Sequence, residues 1–149
     1  MTQRLKDKVS IITGAANGIG LATAIKFANE GAISVICDMN PAQVEDAVAK
    51  VKALGGQAEG YVMNVTDRAN IDDVVASVVA KHGRIDVLIN NAGITKDARL
   101  VNMTEQQFDA VIDVILKGVF SCTQAVVPHM IKAGKGAIVS ASSVVGLYG

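Results

Sequence analysis

Short apolar segments alternate with helical patterns along the whole chain of 149 residues. The short segments are rich in β-branched and other apolar residues, which predicts strands at 9–13, 34–37, 58–63, 87–90 and 137–140. Between them apolar residues recur every three or four positions, which predicts helices at 18–30, 41–54, 67–82 and 104–132. Strands that alternate with helices lie parallel and are joined by right-handed crossovers. We therefore predict one α/β domain over residues 1–149, a doubly wound parallel sheet of order 3-2-1-4-5 with helices on both faces.

The composition fits a buried sheet and excludes several classes of partner. Half of the residues are apolar and only 3% are aromatic, which is typical of a core built from Val, Ile, Ala and Leu. The 14 basic and 14 acidic residues balance and form no blocks, so we expect neither nucleic acid nor a membrane surface as a partner. The apolar runs are shorter than a membrane span, and the polar first residues predict no secretory signal.

The cysteines and histidines give little indication of redox activity or metal binding. Cys37 and Cys122 form no C-x-x-C pair, and we expect two buried free thiols, which fits a reducing cytoplasm. His82 and His129 are isolated and have no acidic partner at metal-ligand spacing, so we expect no metal site.

Three glycines lie between the first predicted strand and the first predicted helix, in the pattern T-G-x-x-x-G-x-G. They are Gly14, Gly18 and Gly20. A glycine lets backbone approach a phosphate closely, and the free N–H groups and dipole of a first helical turn favour an anion. We predict that this loop, with Asn17 and Ile19, binds a pyrophosphate; the alternative is a tight turn without a ligand.

An acidic residue closes the second predicted strand. Asp38 follows Gly20 by eighteen residues. A carboxylate there can accept hydrogen bonds from both hydroxyls of an adenosine ribose, and it would repel a 2′-phosphate. We therefore predict that Asp38 binds the cofactor NAD; the alternative is a solvated loop aspartate.

Small and amide residues follow the fourth predicted strand, as Asn90-Asn91-Ala92-Gly93. In doubly wound sheets ligands bind at the carboxyl ends of the strands. Ala92 and Gly93 leave room for a ribose against the backbone, and the two amides can brace neighbouring loops.

The glycine loop, Asp38 and Asn90-Asn91-Ala92-Gly93 follow one another along the chain, and Ser140-Ala141-Ser142-Ser143 comes after them. In that order the chain resembles the short-chain dehydrogenase/reductase family, and residues 90–130 are most similar to its 3-oxoacyl-[acyl-carrier-protein] reductases. The resemblance implies a Rossmann fold and hydride exchange between a nicotinamide cofactor and a small carbonyl or secondary alcohol, such as a 3-oxoacyl thioester.

The resemblance also assigns roles around the cofactor. Asn64 and Val65 match the pair that contacts adenine, usually Asp-Val in relatives, and an Asn amide offers both a donor and an acceptor there. Relatives that prefer NADP place a basic residue where this chain has Asn17 or Met39. Both positions imply NAD.

The catalytic part of the resemblance is incomplete. Ser143 matches the serine that holds the carbonyl oxygen, with Ser142 as an alternate. The family places a Tyr-x-x-x-Lys pair after it, and Tyr148 is too close to Ser143 to be that tyrosine. Ile115 stands where relatives have an Asn that anchors a relay water. We expect an N-terminal portion of a reductase that is inactive alone; the alternative is a truncated or engineered Rossmann module that binds NAD or only self-associates.

The long predicted helix 104–132 is expected to mediate association. Its apolar positions include Val111, Ile115, Val119 and Val126, which we predict to form one exposed stripe. Relatives cover the fifth strand with a sixth, so here its edge is expected to be open. We therefore predict a homodimer or a larger species built around this helix.

Overall fold

Five parallel strands form one sheet in the order β3-β2-β1-β4-β5, which confirms the predicted topology. The structure is a computed structural model and describes residues 3–143. The strands are β1 (Val9–Thr13), β2 (Ile33–Asp38), β3 (Gln57–Val62), β4 (Val87–Asn90) and β5 (Ala137–Ser140). The helices are α1 (Gly18–Asn29), α2 (Pro41–Ala53), α3 (Arg68–His82), α4 (Glu105–Ile112) and α5 (Gly118–Ala133). A short 3₁₀ turn, Leu100–Asn102, precedes α4.

Local sequence sets where three of these helices begin. The side chains of Asn40, Asp67 and Thr104 each accept a hydrogen bond from an amide in the first turn of α2, α3 and α4. Such caps satisfy amides that have no partner within the helix. The predicted helix 67–82 therefore begins one residue later than expected, because Asp67 is its cap.

The two faces of the sheet bury separate apolar clusters, since successive strand residues point to opposite faces. Ile11 of β1 packs in one cluster with residues of α3 and α5, and Ile12 packs in the other with residues of α1 and α2. Both isoleucines are fully buried. Helices therefore cover both faces, as predicted.

The long helix contains one irregular turn. A π-helical segment, Asp113–Lys117, connects α4 to α5. Because π turns carry extra residues, this segment breaks the regular period of the helix between its two halves. The predicted single helix 104–132 is thus a continuous run of helix whose two halves present different faces.

The predicted exposed stripe on this helix is wrong at one end. Val126 is fully buried, because α5 packs against α3 and β4, whereas Ile115 is half-exposed. Val111 and Val119 are partly buried. Apart from Ile115, the exposed large apolar residues of the helix lie outside the predicted stripe, at Phe108, Ile112, Leu116, Phe120 and Ile131.

The helical run Glu105–Ala133 is also long and apolar enough to cross a membrane, by length and composition alone, and is the one such helix in residues 3–143. The core helix of a globular domain passes the same test, so this finding is weak evidence. Its second half has Cys122, Val126 and Met130 buried in the core.

Both cysteines are buried free thiols, as predicted. Burial raises the pKa of Cys37 far above its ordinary value and raises the pKa of Cys122 to about 11. His82 differs from expectation, since its Nε2 lies 2.8 Å from Oε1 of Glu59. Burial opposes the ionised form of Glu59, but hydrogen bonds from Lys81 and His82 outweigh it and lower the pKa of that carboxyl.

The carboxylate of Asp86 fixes the start of β1 beside β4. Its Oδ2 accepts hydrogen bonds from the amide of Val9, at 3.0 Å, and from Nε of Arg84, at 2.8 Å. Its backbone N–H donates to the carbonyl of Val9, and its carbonyl accepts from the amide of Ala137. Partial burial raises the pKa of Asp86, but the hydrogen bonds from Arg84 and Val9 outweigh burial, and the net shift of the pKa is downward.

We predict that Asp86→Ala lowers the free energy of unfolding by about 2 kcal/mol at neutral pH, because it leaves the buried amide of Val9 without its partner. Urea denaturation measures this change. Because the folded pKa is lowered, the stabilisation is present above the ordinary aspartate pKa and is lost as the pH falls. The matched control is Asp72→Ala, which removes an exposed ion pair with Arg68 and should change stability by less than about 0.5 kcal/mol. Equal effects of the two variants would contradict this account.

Candidate functional site

A cleft of about 490 Å³ lies along the carboxyl ends of β1 to β4, and we call it the edge cleft. Its walls come from the segments that follow these four strands and from the π segment. The lining residues are Gly14, Asn17, Gly18, Ile19, Asp38, Met39, Met63, Val65, Asn91, Ala92, Gly93, Ile94 and Val114. Most of the residues predicted to bind a cofactor are therefore together in one cleft, and Gly20, Asn64 and Ser143 lie outside its lining.

The glycines of the loop after β1 are required by close contacts. Gly14 has a φ of +62°, and a Cβ there would lie 2.8 Å from Cα of Ala92. A Cβ on Gly20 would lie 2.3 Å from the carbonyl oxygen of Gly14. Both distances are shorter than carbon and oxygen atoms tolerate, so side chains here would push α1 and the loop after β4 away from β1.

The first turn of α1 is open to an anion. Asn17 is its N-cap residue, but the Asn17 side chain makes no hydrogen bond to the amides of that turn. Ile19 in the same turn is 80% exposed. Uncapped amides at the positive end of a helix dipole are the standard protein site for a phosphate group.

Asp38 carries the one ionisable side chain among the described residues that line the edge cleft. Its Oδ2 accepts a hydrogen bond from the amide of Ala16, at 3.1 Å, and its Oδ1 accepts one from the amide of Met39, at 2.8 Å. These bonds fix the carboxylate against the loop after β1. Each carboxylate oxygen can accept more than one hydrogen bond, so both keep capacity for a hydroxyl donor.

Asn91 and Thr13 join the loops that follow β1 and β4. The Nδ2 of Asn91 donates to the carbonyls of Thr13, at 3.1 Å, and Gly14, at 3.0 Å. The hydroxyl oxygen of Thr13 accepts from the amides of Asn91 and Ala92, at 3.0 and 2.9 Å. The predicted bracing by an amide is thus present, and it holds Ala92 beside Gly14.

The two predicted residues after β3, Asn64 and Val65, have different roles in the structure. Val65 is buried and lines the edge cleft. The Oδ1 of Asn64 instead accepts from the amide and the hydroxyl of Thr66, at 3.0 and 2.8 Å. The amide of Asn64 donates to Oδ1 of Asn70, at 2.7 Å. Asn64 therefore shapes the turn into α3, and its side-chain oxygen is already engaged.

The end of β5 carries the predicted catalytic serine. Ser143 is exposed and lies three residues beyond Ser140, the last residue of β5, at the same edge of the sheet as the cleft. The buried side chain of Asn90 donates to the hydroxyls of Ser140 and Thr123, at 3.3 and 3.2 Å, and thereby connects β4, β5 and α5. Tyr148 and residues 144–146 lie outside the described residues.

Several residues of the site were missed by sequence reasoning. Met63, Ile94 and Val114 line the edge cleft, and Thr13 organises two of its loops. Thr13 and Met63 had a detectable signal, since each lies where a predicted strand ends. Val114 had none, because its position depends on the π segment.

No three His, Cys, Asp or Glu side chains converge as a metal site anywhere in the described portion, residues 3–143. The edge cleft thus combines an uncapped helix N-terminus, one fixed carboxylate and otherwise uncharged walls. This arrangement can hold an elongated ligand that has a phosphate in its middle and hydroxyl donors at one end.

Curated proteins similar to this chain include two reductases. A 3-oxoacyl-[acyl-carrier-protein] reductase FabG of Thermotoga maritima is 56% identical over 146 residues, which cover 98% of this chain and 59% of the relative. The FabG of Staphylococcus epidermidis is 40% identical over 144 residues, covering 96% of this chain and 59% of the relative. The chain thus spans about 59% of the length of these curated relatives.

Solved structures with the same fold include an NAD⁺-bound xylitol dehydrogenase, with a TM-score of 0.94 and 37% identity. That match covers 98% of this chain and 56% of the other. A metagenomic short-chain oxidoreductase in complex with NADP gives a TM-score of 0.90 at 35% identity, covering 95% of this chain and 65% of the other. Residues 8–149 match the family described as short chain dehydrogenase. On this match and these relatives, the chain belongs to the short-chain dehydrogenase family.

Proposed function

We propose that this chain is the NAD-binding part of an oxidoreductase that transfers a hydride between nicotinamide and a carbonyl or secondary alcohol, of the 3-oxoacyl thioester kind. The observation that carries the proposal is the edge cleft, in which the uncapped α1 lies between the carboxylate of Asp38 and the small residues Ala92 and Gly93. Similarity to FabG proteins supports the substrate class.

Each wall of the edge cleft has a proposed role along the dinucleotide. The first turn of α1 holds the pyrophosphate, with Gly14, Gly18 and Gly20 allowing its approach. Asp38 accepts hydrogen bonds from the adenosine ribose, and Met63 and Val65 form an apolar wall for adenine. The other ribose lies against the segment that follows β4, with Asn91, Ala92 and Gly93.

When bound, the nicotinamide supplies or accepts the hydride, and the protein must hold the carbonyl and move a proton. We assign Ser143 the task of donating a hydrogen bond to the carbonyl oxygen. The tyrosine and lysine that would move the proton in relatives have no counterpart in the 149-residue sequence. Ile115 offers no side-chain hydrogen bond to a relay water.

The surroundings proposed for this protein follow from its surface and thiols. Two buried free cysteines fit a reducing compartment such as the cytoplasm. Balanced charge gives no electrostatic attraction to nucleic acid or to an anionic membrane. We therefore propose a small-molecule substrate and no partner of either kind.

Asp38→Ala tests the cofactor assignment. We predict that the unaltered chain binds NAD⁺ at least about tenfold more tightly than NADP⁺, because the fixed carboxylate repels a 2′-phosphate. The variant should narrow this ratio to about threefold or less. Calorimetric titration with both dinucleotides measures the two affinities.

The matched control is Asp73→Ala, which removes the same charge from an exposed position on α3. It should leave the ratio unchanged. Equal affinity of the unaltered chain for the two cofactors would show that Asp38 does not select between them.

The 149-residue chain alone is predicted not to reduce carbonyls at an enzymatic rate. Loss of a general acid typically costs about 10²–10⁴ in rate, and the accompanying lysine is missing from the same sequence. The measurement is NADH oxidation with a 3-oxoacyl thioester, on material whose mass is confirmed as 15.4 kDa. Robust turnover by that material would contradict the prediction.

We also propose that the chain forms a homodimer or a larger species through the helical run 104–132. Leu116 and Phe120 are 65% and 60% exposed, and they help line an apolar groove on its surface. Association would remove this apolar area from water.

We predict that Phe120→Asp weakens self-association by about tenfold or more, because it places a charge in the buried contact. Sedimentation at micromolar concentrations measures the dissociation constant. Leu54→Asp is the matched control, since Leu54 is equally exposed at the end of α2. A clean monomer of the unaltered chain would contradict the proposal.

A further inference from the structure

The adenosine end of the edge cleft leads directly into α2, which begins two residues after Met39. The first turn of α2 offers an anion fewer free N–H donors than the first turn of α1 does. Its first residue is Pro41, which has no N–H, and Oδ1 of Asn40 accepts a hydrogen bond from the amide of Gln43 at 3.1 Å. Two of the donors that an anion would use at a helix N-terminus are therefore absent or occupied.

Other donors near this end are also engaged. The amides of Met39 and Ala16 both donate to the carboxylate of Asp38. The side-chain amide of Asn17 makes a long contact, 3.5 Å, with Oε1 of Gln43. No Lys or Arg is among the described residues that line the cleft. A phosphate placed here would meet a carboxylate and few unpaired donors, which is unfavourable for a doubly charged group.

We propose that Asn40 and Pro41 are specificity-determining residues, which close the N-terminus of α2 to the 2′-phosphate of NADP. This inference rests on the proposed function and deepens it. The preference for NAD is then set twice: Asp38 repels the phosphate, and the capped α2 withholds the donors that would bind it.

The effects of the Asp38 carboxylate and of the capped α2 on NADP affinity can be separated by mutation. Removing the Asp38 carboxylate ends the repulsion and releases the amides of Met39 and Ala16. It leaves Gln43 bonded to Asn40, so NADP gains affinity but does not become the preferred cofactor. Opening α2 as well should supply a further donor at the positive end of a helix dipole.

Substitution of Asn40 can open the turn without breaking the helix. Asn40 has an extended backbone, with φ −94° and ψ 111°, which glycine and serine both adopt. Glycine at an N-cap removes the side-chain oxygen at a cost of only a few tenths of a kcal/mol, whereas serine keeps a capping oxygen. Asn40→Ser is therefore the matched control for Asn40→Gly.

The experiment uses the 149-residue chain and two probes that need only the adenosine end, 5′-AMP and adenosine 2′,5′-bisphosphate. Their affinities are measured by NMR titration for the unaltered chain, Asp38→Ala, and Asp38→Ala combined with Asn40→Gly or with Asn40→Ser. We expect the variant with Asn40→Gly to bind the bisphosphate about tenfold more tightly than Asp38→Ala alone, the value of one charge-assisted hydrogen bond. The variant with Asn40→Ser should stay within about twofold of Asp38→Ala, and 5′-AMP should bind the three proteins that carry Asp38→Ala alike.

Three outcomes would overturn the inference. Equal bisphosphate affinity with and without Asn40→Gly would show that α2 plays no part. A full preference for the bisphosphate in Asp38→Ala alone would show that one device is enough. If 5′-AMP fails to bind the unaltered chain, whose fold is checked in the same NMR spectra, the proposed function fails and this inference with it.

Discussion

The close approach of backbone segments at the end of β1 is the constraint on which the site depends. Gly14 lies against Ala92, and Gly20 lies against the carbonyl of Gly14, so closely that neither position has room for a Cβ. Asn91 and Ala92 of the loop after β4 then donate hydrogen bonds to Thr13, which join the two loops. This contact sets the width of the edge cleft and keeps α1 directed at it.

Much of the fold could be predicted because it depends on local patterns. The periods of two and 3.6 residues distinguish strands from helices, and their alternation leaves a parallel doubly wound sheet as the simple solution. The residues at the strand ends, such as Asp38 and Ala92, could be predicted for the same reason, since topology alone brings them to one edge. What the sequence could not give was the exposed face of the long helix. The π segment shifts its period, and Val126, predicted on the surface, is buried.

Sequence patterns also did not predict the side-chain hydrogen bonds. Asn64 matches a family position that contacts adenine, but its oxygen is engaged by Thr66. The side chain of Asn40 caps α2, which makes α2 differ from α1 as a site for anions. Relatives of known structure occur with NAD⁺ and with NADP, so family membership leaves the cofactor open. We propose that in this chain the choice depends on which N–H donors are already engaged at the end of β2.

The central claim is that the edge cleft binds a nicotinamide dinucleotide in one orientation. A crystal structure of the chain grown with saturating NAD⁺ tests it most directly. The account predicts the pyrophosphate on the first-turn amides of α1 and the adenosine ribose hydroxyls within hydrogen-bond distance of the Asp38 carboxylate. An empty edge cleft in such crystals, or a dinucleotide whose ribose lies away from Asp38, would contradict it.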